Sequence, residues 1–96
     1  MKAYELLFIV APSIDEETRA GVMKRIESAL EGNGSVDNID NWGKRKLAYE
    51  INGLTDGDYT LIDFHANPES IEELNRVLRI NDAVVRHMIV CRSDRD

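Results

Sequence analysis

Cysteine is nearly absent from this chain of 96 residues, and Cys91 is the only one. A single thiol cannot form an internal disulfide, and no two cysteines stand at the spacing of a metal site. The sequence therefore excludes a disulfide-bonded scaffold and structural zinc. It predicts a protein of a reducing compartment.

Long hydrophobic runs are also missing. The apolar run 6–11 lies near the N-terminus, but Glu5 interrupts it, and it is shorter than a signal-peptide core, which needs about 7–15 apolar residues. No segment approaches the roughly 18 apolar residues of a membrane span. We therefore expect a cytoplasmic protein of bacterial or organellar type, with no membrane partner.

Groups that carry out catalysis are scarce. His65 and His87 stand apart from each other and from any evident nucleophile. No glycine-rich phosphate loop follows the first apolar run, where Pro12 and Ser13 stand instead. We expect no enzyme activity, no cofactor, no metal and no small-molecule substrate.

The chain does have the composition of one globular domain, with 43% hydrophobic and 31% charged residues. A chain of this length can bury one hydrophobic core without disulfides or metals. We interpret residues 1–96 as a single domain.

The charge is acidic overall but unevenly distributed. A net charge of −6 argues against a protein that binds nucleic acid unaided. However, residues 42–46 carry three cations and no acid, residues 76–96 carry five arginines against three acids, and 47–75 hold seven acids without Lys or Arg. This segregation fits one anionic and one basic partner, with ordinary solvated faces as the alternative.

Hydrophobic periodicity and turn signals predict six elements. A capping box at Ser13–Glu16 starts the first helix, Gly43 marks a bulge or bend, turn signals fill 52–57, and Asn67-Pro68 starts the second helix. The Glu72–Arg76 spacing indicates a helical ion pair. The elements, in order, are a strand over 4–10, a helix over 15–31, a strand over 36–51, a strand over 59–66, a helix from 68 to about 80 with a buried stripe of Ile71, Leu74 and Leu78, and a strand over 84–91.

This β-α-β-β-α-β order predicts an α+β, ferredoxin-like fold, with a four-stranded antiparallel sheet and both helices on one face. Right-handed crossovers give the strand order 4-1-3-2. One sheet face is then bare of helices, and the second and fourth strands are edges. Both are places where a partner can bind.

The segment 42–52 combines cations with aromatic residues. Lys44, Arg45 and Lys46 follow a glycine, and Trp42 and Tyr49 flank them. Such a mixture holds phosphates, stacks on bases or packs against a partner protein. A solvated hairpin edge protected by lysines is the alternative reading.

Three separated motifs resemble one known family, that of bacterial small-subunit ribosomal protein six. They are the opening K-A-Y-E at 2–5, W-G-K-R-K-L-A-Y-E-I at 42–51, and L-R-I-N-D-A-V-V-R-H-M at 78–88. The resemblance covers essentially the whole chain.

The resemblance implies a structural role in the cytoplasmic ribosome, with binding to the central domain of 16S ribosomal RNA together with a small basic partner, ribosomal protein eighteen. An acidic protein can lie on RNA if its few cations face phosphates and a cationic partner covers its acids. The alternative is a ferredoxin-like regulatory or small-molecule-binding domain that dimerises through its open sheet face. The expected RNA-binding residues are Lys2, Tyr4, Lys44, Arg45, Arg79, Arg86, His87 and Arg92, and the expected partner interface is Trp42, Lys46, Leu47 and Tyr49.

Overall fold

The computed structural model describes residues 1–51, 53–92 and 94. Its elements are β1 (Lys2–Val10), α1 (Glu16–Leu30), β2 (Gly34–Ile51), β3 (Leu54–Ala66), α2 (Pro68–Ile80) and β4 (Val84–Cys91). The strands form one antiparallel sheet in the order β2-β3-β1-β4. The α+β class and the predicted strand order, which is this one read from the other edge, are confirmed. Neither helix is long and apolar enough to cross a membrane.

Both helices pack on one face of the sheet, as predicted. Alternate side chains of β1 point to that face, because successive residues of a strand point to opposite sides. Leu6 and Phe8 are completely buried there, in one cluster with Ile26 of α1 and Leu74 of α2. The predicted stripe of α2 is confirmed as part of this core, with Ile71 only partly buried.

The cap of α1 differs from the prediction. The sequence indicated a capping box that begins at Ser13, whereas Asp15 is the N-cap, and its carboxylate accepts a hydrogen bond of 2.8 Å from the backbone N–H of Thr18. Two favourable cap residues stand two positions apart, and the motif alone does not decide between them. The start of α2 is confirmed, with Asn67 at the N-cap and Pro68 in the first turn.

The β2–β3 connection is shorter than predicted. β3 begins at Leu54 rather than at residue 59, so Gly57 lies within the strand. Gly57 is buried, and a side chain there would collide with Ile9. This glycine therefore permits close packing rather than a turn. Gly53 does adopt a turn conformation, with φ of 81°, while Asn52 of the predicted turn lies outside the described residues.

The bend predicted at Gly43 is confirmed. Its φ is 77°, and the β2–β3 register shifts between Asn41 and Gly43, which is the signature of a β-bulge. β2 has 18 residues and β3 has 13, against nine in β1 and eight in β4. The β2–β3 ribbon therefore projects beyond the rest of the sheet.

A partly buried polar network connects α1 to this ribbon. The Arg19 guanidinium donates to the carboxylate of Asp58, and the Asn41 side-chain amide donates to Asp58 and to Thr60, each at 3.0 Å. Asp58 is only 7% exposed. A carboxylate can be buried at this depth because it is both paired with a cation and hydrogen-bonded.

Candidate nucleic-acid and partner interface

The sheet face opposite the helices, called the open face below, carries cross-strand rows of side chains. Nearest the ribbon end, Tyr59, Ile9 and Arg86 lie side by side. The register then places two more rows along the strands, first Leu61, Leu7 and Met88, and next Asp63, Glu5 and Val90. Side chains from β3, β1 and β4 thus meet on a surface that neither α1 nor α2 covers.

Trp42 is at the ribbon end of the open face and is 40% exposed. Its ring stacks on Tyr59, with centroids 6.3 Å apart and an interplanar angle of 11°. The Arg45 guanidinium lies 5.9 Å from the centroid of the indole, and the indole N–H donates to Asp40 at 3.2 Å. The ring is therefore held at the surface by its neighbours rather than packed under the hairpin.

Tyr49 connects the ribbon to the far edge of the sheet. The Arg86 guanidinium donates to the Tyr49 hydroxyl and lies 5.9 Å from the centroid of its ring. Both residues line an apolar cavity, and Leu7, Tyr59 and Met88 also belong to its lining. The structure thus brings together a residue expected at the partner interface and one expected at RNA.

The cations of the predicted cluster have different surroundings. Lys44 Nζ lies 3.9 Å from a carboxylate oxygen of Asp56 in an exposed pair, and Lys46 is exposed. Leu47 is buried and packs close to Gly57, which differs from its expected place at the interface. Apolar residues alternate along this strand, and the sequence does not reveal which of them the ribbon folds inward.

Tyr4 is also placed differently from the expectation. It is 9% exposed in the core cluster, and its ring stacks on Phe64 with centroids 5.6 Å apart. Its position on β1 puts it on the helix-covered face, so the ring serves packing rather than RNA contact. Lys2, at the start of the same strand, is exposed.

Two predicted RNA residues lie together between α2 and β4. Arg79 and His87 line a cleft with Glu72 and Asn75, and His87 Nε2 is 3.1 Å from the side-chain oxygen of Asn75. Burial, and then the positive charge of Arg79, lower the pKa of His87. The imidazole is therefore kept neutral to a lower pH than usual.

Two further arginines bind carboxylates. Arg76 pairs with Glu73 at 2.5 Å, so the predicted pairing with Glu72 is wrong, because the i+3 neighbour on the same helical face is closer. Arg92 lies 3.3 Å from Glu5 and 3.3 Å from Asp94. Its charge is thus shared with two acids at the end of β4.

Sequence reasoning missed the apolar half of the open face. The run Leu6–Val10 is apolar at every position, which means that both faces of β1 are apolar. That pattern predicts a central strand, and it also places Leu7 and Ile9 on the bare side of the sheet. No group of three or more metal-ligating side chains occurs in residues 1–51, 53–92 and 94.

Comparison with known proteins identifies the family. The family model for ribosomal protein S6 matches residues 3–91. This chain belongs to the ribosomal protein S6 family. Its relative in Clostridium beijerinckii, small ribosomal subunit protein bS6, is 52% identical over 94% of this chain and 96% of that protein.

Solved structures agree with the S6 assignment. The crystal structure of 30S ribosomal protein S6 from Thermotoga maritima superposes with a TM-score of 0.87 at 34% identity, over 97% of this chain and 89% of that one. The C-terminal domain of the MgtC protein from Mycobacterium tuberculosis, at 16% identity and a TM-score of 0.59, shares the fold alone.

Membership of the S6 family establishes the general role. The chain is a structural constituent of the small ribosomal subunit, where it associates with ribosomal RNA, and it is not an enzyme. In bacteria the ribosome lies in the cytoplasm. The alternative of a regulatory, small-molecule-binding dimer is not supported by this assignment.

Proposed function

We propose that this S6 protein binds the central domain of 16S ribosomal RNA cooperatively with small-subunit ribosomal protein eighteen. The observation that carries the proposal is the exposed cluster at the end of β2. There Trp42, Arg45 and Tyr49 present aromatic and cationic groups on a molecule whose net charge is −6. Such groups bind phosphates and bury well against a protein surface.

The proposed RNA contacts are cationic side chains on the ribbon, on the ends of β1 and β4, and in the α2–β4 cleft, together with the neutral imidazole of His87 in that cleft. Phosphate contacts are the expected kind, since arginine and lysine pair with phosphate without reading sequence. The residues are Lys2, Lys44, Arg45, Arg79, Arg86, His87 and Arg92.

Cooperativity follows from the charge balance. The acids of this chain repel RNA over distances comparable to the Debye length, about 8 Å at physiological salt. A basic partner that lies against the acidic surface removes this repulsion and adds its own phosphate contacts. The proposed contacts with that partner are Trp42, Lys46 and Tyr49.

Arg86 provides a direct test of RNA binding. In the presence of protein eighteen, the Arg86→Ala variant is expected to bind the central-domain fragment more weakly. The slope of log affinity against log salt should fall by about one unit, because one phosphate contact is lost. Filter binding or fluorescence anisotropy at several salt concentrations measures this slope.

The Arg25→Ala variant is the matched control, because it also removes one cation, at an exposed position on α1 that is not among the proposed contacts. Its salt slope should equal that of the wild type. An unchanged slope in Arg86→Ala would remove Arg86 from the RNA contacts. Failure of the wild type to bind RNA even with the partner would contradict the proposed function.

Trp42 provides a test of the protein interface. Replacing it by alanine should weaken binding to protein eighteen by about 2 kcal/mol or more, as for a central aromatic anchor. The free energy of unfolding should fall by less than the cost of removing a fully buried tryptophan, about 3–5 kcal/mol, because the Trp42 ring is partly exposed. Calorimetric titration and urea unfolding give the two quantities. A large loss of stability with unchanged affinity would assign Trp42 to packing alone.

A further inference from the structure

The cleft between α2 and the edge strand β4 lies on the helix-covered side of the sheet. His87 faces this cleft from β4, because its partner in the register is Phe8, which is completely buried under the helices. Glu72, Asn75 and Arg79 line the cleft from α2, where spacings of three and four residues put them in one row along the helix. The cleft is therefore separate from the open face and from the contacts proposed for the partner protein.

The charges in this cleft balance each other. The Glu72 carboxylate offsets the Arg79 guanidinium, and the lowered pKa of His87 leaves its imidazole neutral at physiological pH. A phosphate in the cleft would be attracted by Arg79 but repelled by Glu72. A neutral ligand that carries both hydrogen-bond donors and acceptors matches the cleft better.

The hydrogen-bonding groups of the cleft follow a definite order. Glu72 offers only acceptors and Arg79 offers only donors. Between them, the Asn75 side-chain oxygen is 3.1 Å from His87 Nε2, and this contact holds the imidazole in place. Within the three stretches of chain that the structure describes, no ion pair joins Glu72 or Arg79 to another side chain. The cleft thus presents acceptors at one end and donors at the other.

The length of this arrangement matches a purine. Arg79 follows Glu72 by seven residues on α2, and seven residues of α-helix rise about 10.5 Å. A purine with a hydrogen bond of about 2.9 Å at each end has a similar length, whereas a pyrimidine is shorter. His87 is half-buried, so part of its ring is accessible, and unpaired bases of RNA stack on histidine.

Guanine is the purine whose edges follow the same order. Its N1–H and N2–H groups donate at one end, and its O6 and N7 atoms accept at the other, where an arginine can bind both with two hydrogen bonds. Adenine has the opposite pattern, because its amino group would face the donors of Arg79 and its N1 acceptor would face the carboxylate of Glu72. The cleft therefore favours guanine over adenine.

We infer that the α2–β4 cleft binds an unpaired guanine base of the RNA, with Glu72 accepting hydrogen bonds from N1–H and N2–H, Arg79 donating to O6 and N7, and the His87 ring stacking on the base. The inference rests on the proposed function, since it takes the guanine to come from ribosomal RNA. It assigns Arg79 to a base rather than to a phosphate, so that this contact reads sequence.

Short single-stranded RNAs test the base preference. A uracil hexamer with one guanine is expected to bind the folded chain about tenfold more tightly than the same hexamer with adenine at that position, as for one good two-bond contact. NMR titration gives both affinities, and the guanine hexamer should shift the signals of Asn75 and His87. Equal affinities for the two hexamers would overturn the inference.

Variants on α2 test the assigned roles. Glu72→Gln should abolish the preference, because an amide offers guanine one acceptor fewer and can itself bind adenine with two hydrogen bonds. Its matched control, Glu69→Gln, makes the same change of net charge in the first turn of α2, outside the cleft lining, and should keep the preference.

Arg79→Lys distinguishes a base contact from a phosphate contact. Lysine keeps the charge but lacks the planar pair of donors, so the guanine preference should be lost while the dependence of affinity on salt stays the same. A variant that keeps the guanine preference would show that Arg79 acts only as a charge, and would overturn the inference.

The outcomes separate this inference from the proposed function. If the central-domain fragment binds in the presence of protein eighteen but the hexamers show no guanine preference, the inference is wrong and the proposed function stands. If the fragment does not bind, the proposed function fails. Guanosine monophosphate tests the source of the base: weaker binding than that of the guanine hexamer supports RNA, whereas equal binding would assign the cleft to a free nucleotide and overturn the inference.

Discussion

Replacing Asp58 by alanine is expected to lower the free energy of unfolding by about 3 kcal/mol, near the lower end of the cost of removing one partner of a buried ion pair. The carboxylate is almost fully buried and accepts hydrogen bonds from Arg19 and Asn41. Without it, the Arg19 guanidinium loses its partner on β3 and the Asn41 amide loses one of its acceptors. Urea unfolding of the isolated protein measures the change.

The matched control is Asp56→Ala, on the same strand. Asp56 faces Lys44 in an exposed pair with a separation of 3.9 Å, and such pairs contribute less than about 1 kcal/mol. A double-mutant cycle with Arg19→Met isolates the buried interaction. A cost of Asp58→Ala no greater than that of Asp56→Ala would show that the network does not hold α1 to the ribbon.

The same network also fixes the position of Trp42 in the candidate interface. Asn41 directly precedes Trp42, and the register shift at Gly43 follows it. Because the Asn41 amide is fixed to Asp58 and Thr60, the bulge has a fixed position and Trp42 is directed to the open face. We therefore expect Asp58→Ala to weaken partner binding as well as stability.

The order of elements and the sheet topology could be predicted because local signals agree with one another. Hydrophobic periodicity, the Asn67-Pro68 start and the positive φ required at Gly43 are properties of short segments. The predicted start of β3 at residue 59 is wrong because glycine is a common turn residue, so the sequence pattern places Gly57 in the turn. Its real constraint is contact with Ile9 on another strand, which local sequence does not contain.

The candidate site could be predicted only in part, for a similar reason. Residue types within short segments identify the cations and Trp42. Whether such a side chain can contact a partner depends on which side of the sheet it points to. Tyr4 and Leu47 are buried because of the strand alternation and the fold of the ribbon. The contact between Arg86 and Tyr49 joins residues 37 positions apart and has no signal in sequence spacing.

The largest functional effect is expected from the partner protein. With protein eighteen present, the affinity of this S6 protein for the central-domain fragment should rise by about 100-fold, near the upper end of typical coupling between two binding sites. The reason is that the chain contributes few cations and a net charge of −6, so alone it gains little from phosphate contacts. By linkage, the RNA should raise the affinity for protein eighteen by the same factor.

The dissociation constant for the RNA fragment, determined at physiological salt with and without protein eighteen, tests this account most directly. We predict weak binding by the chain alone, tight binding with the partner, and the same ratio when the order of addition is reversed. Tight RNA binding that does not depend on the partner would contradict the account.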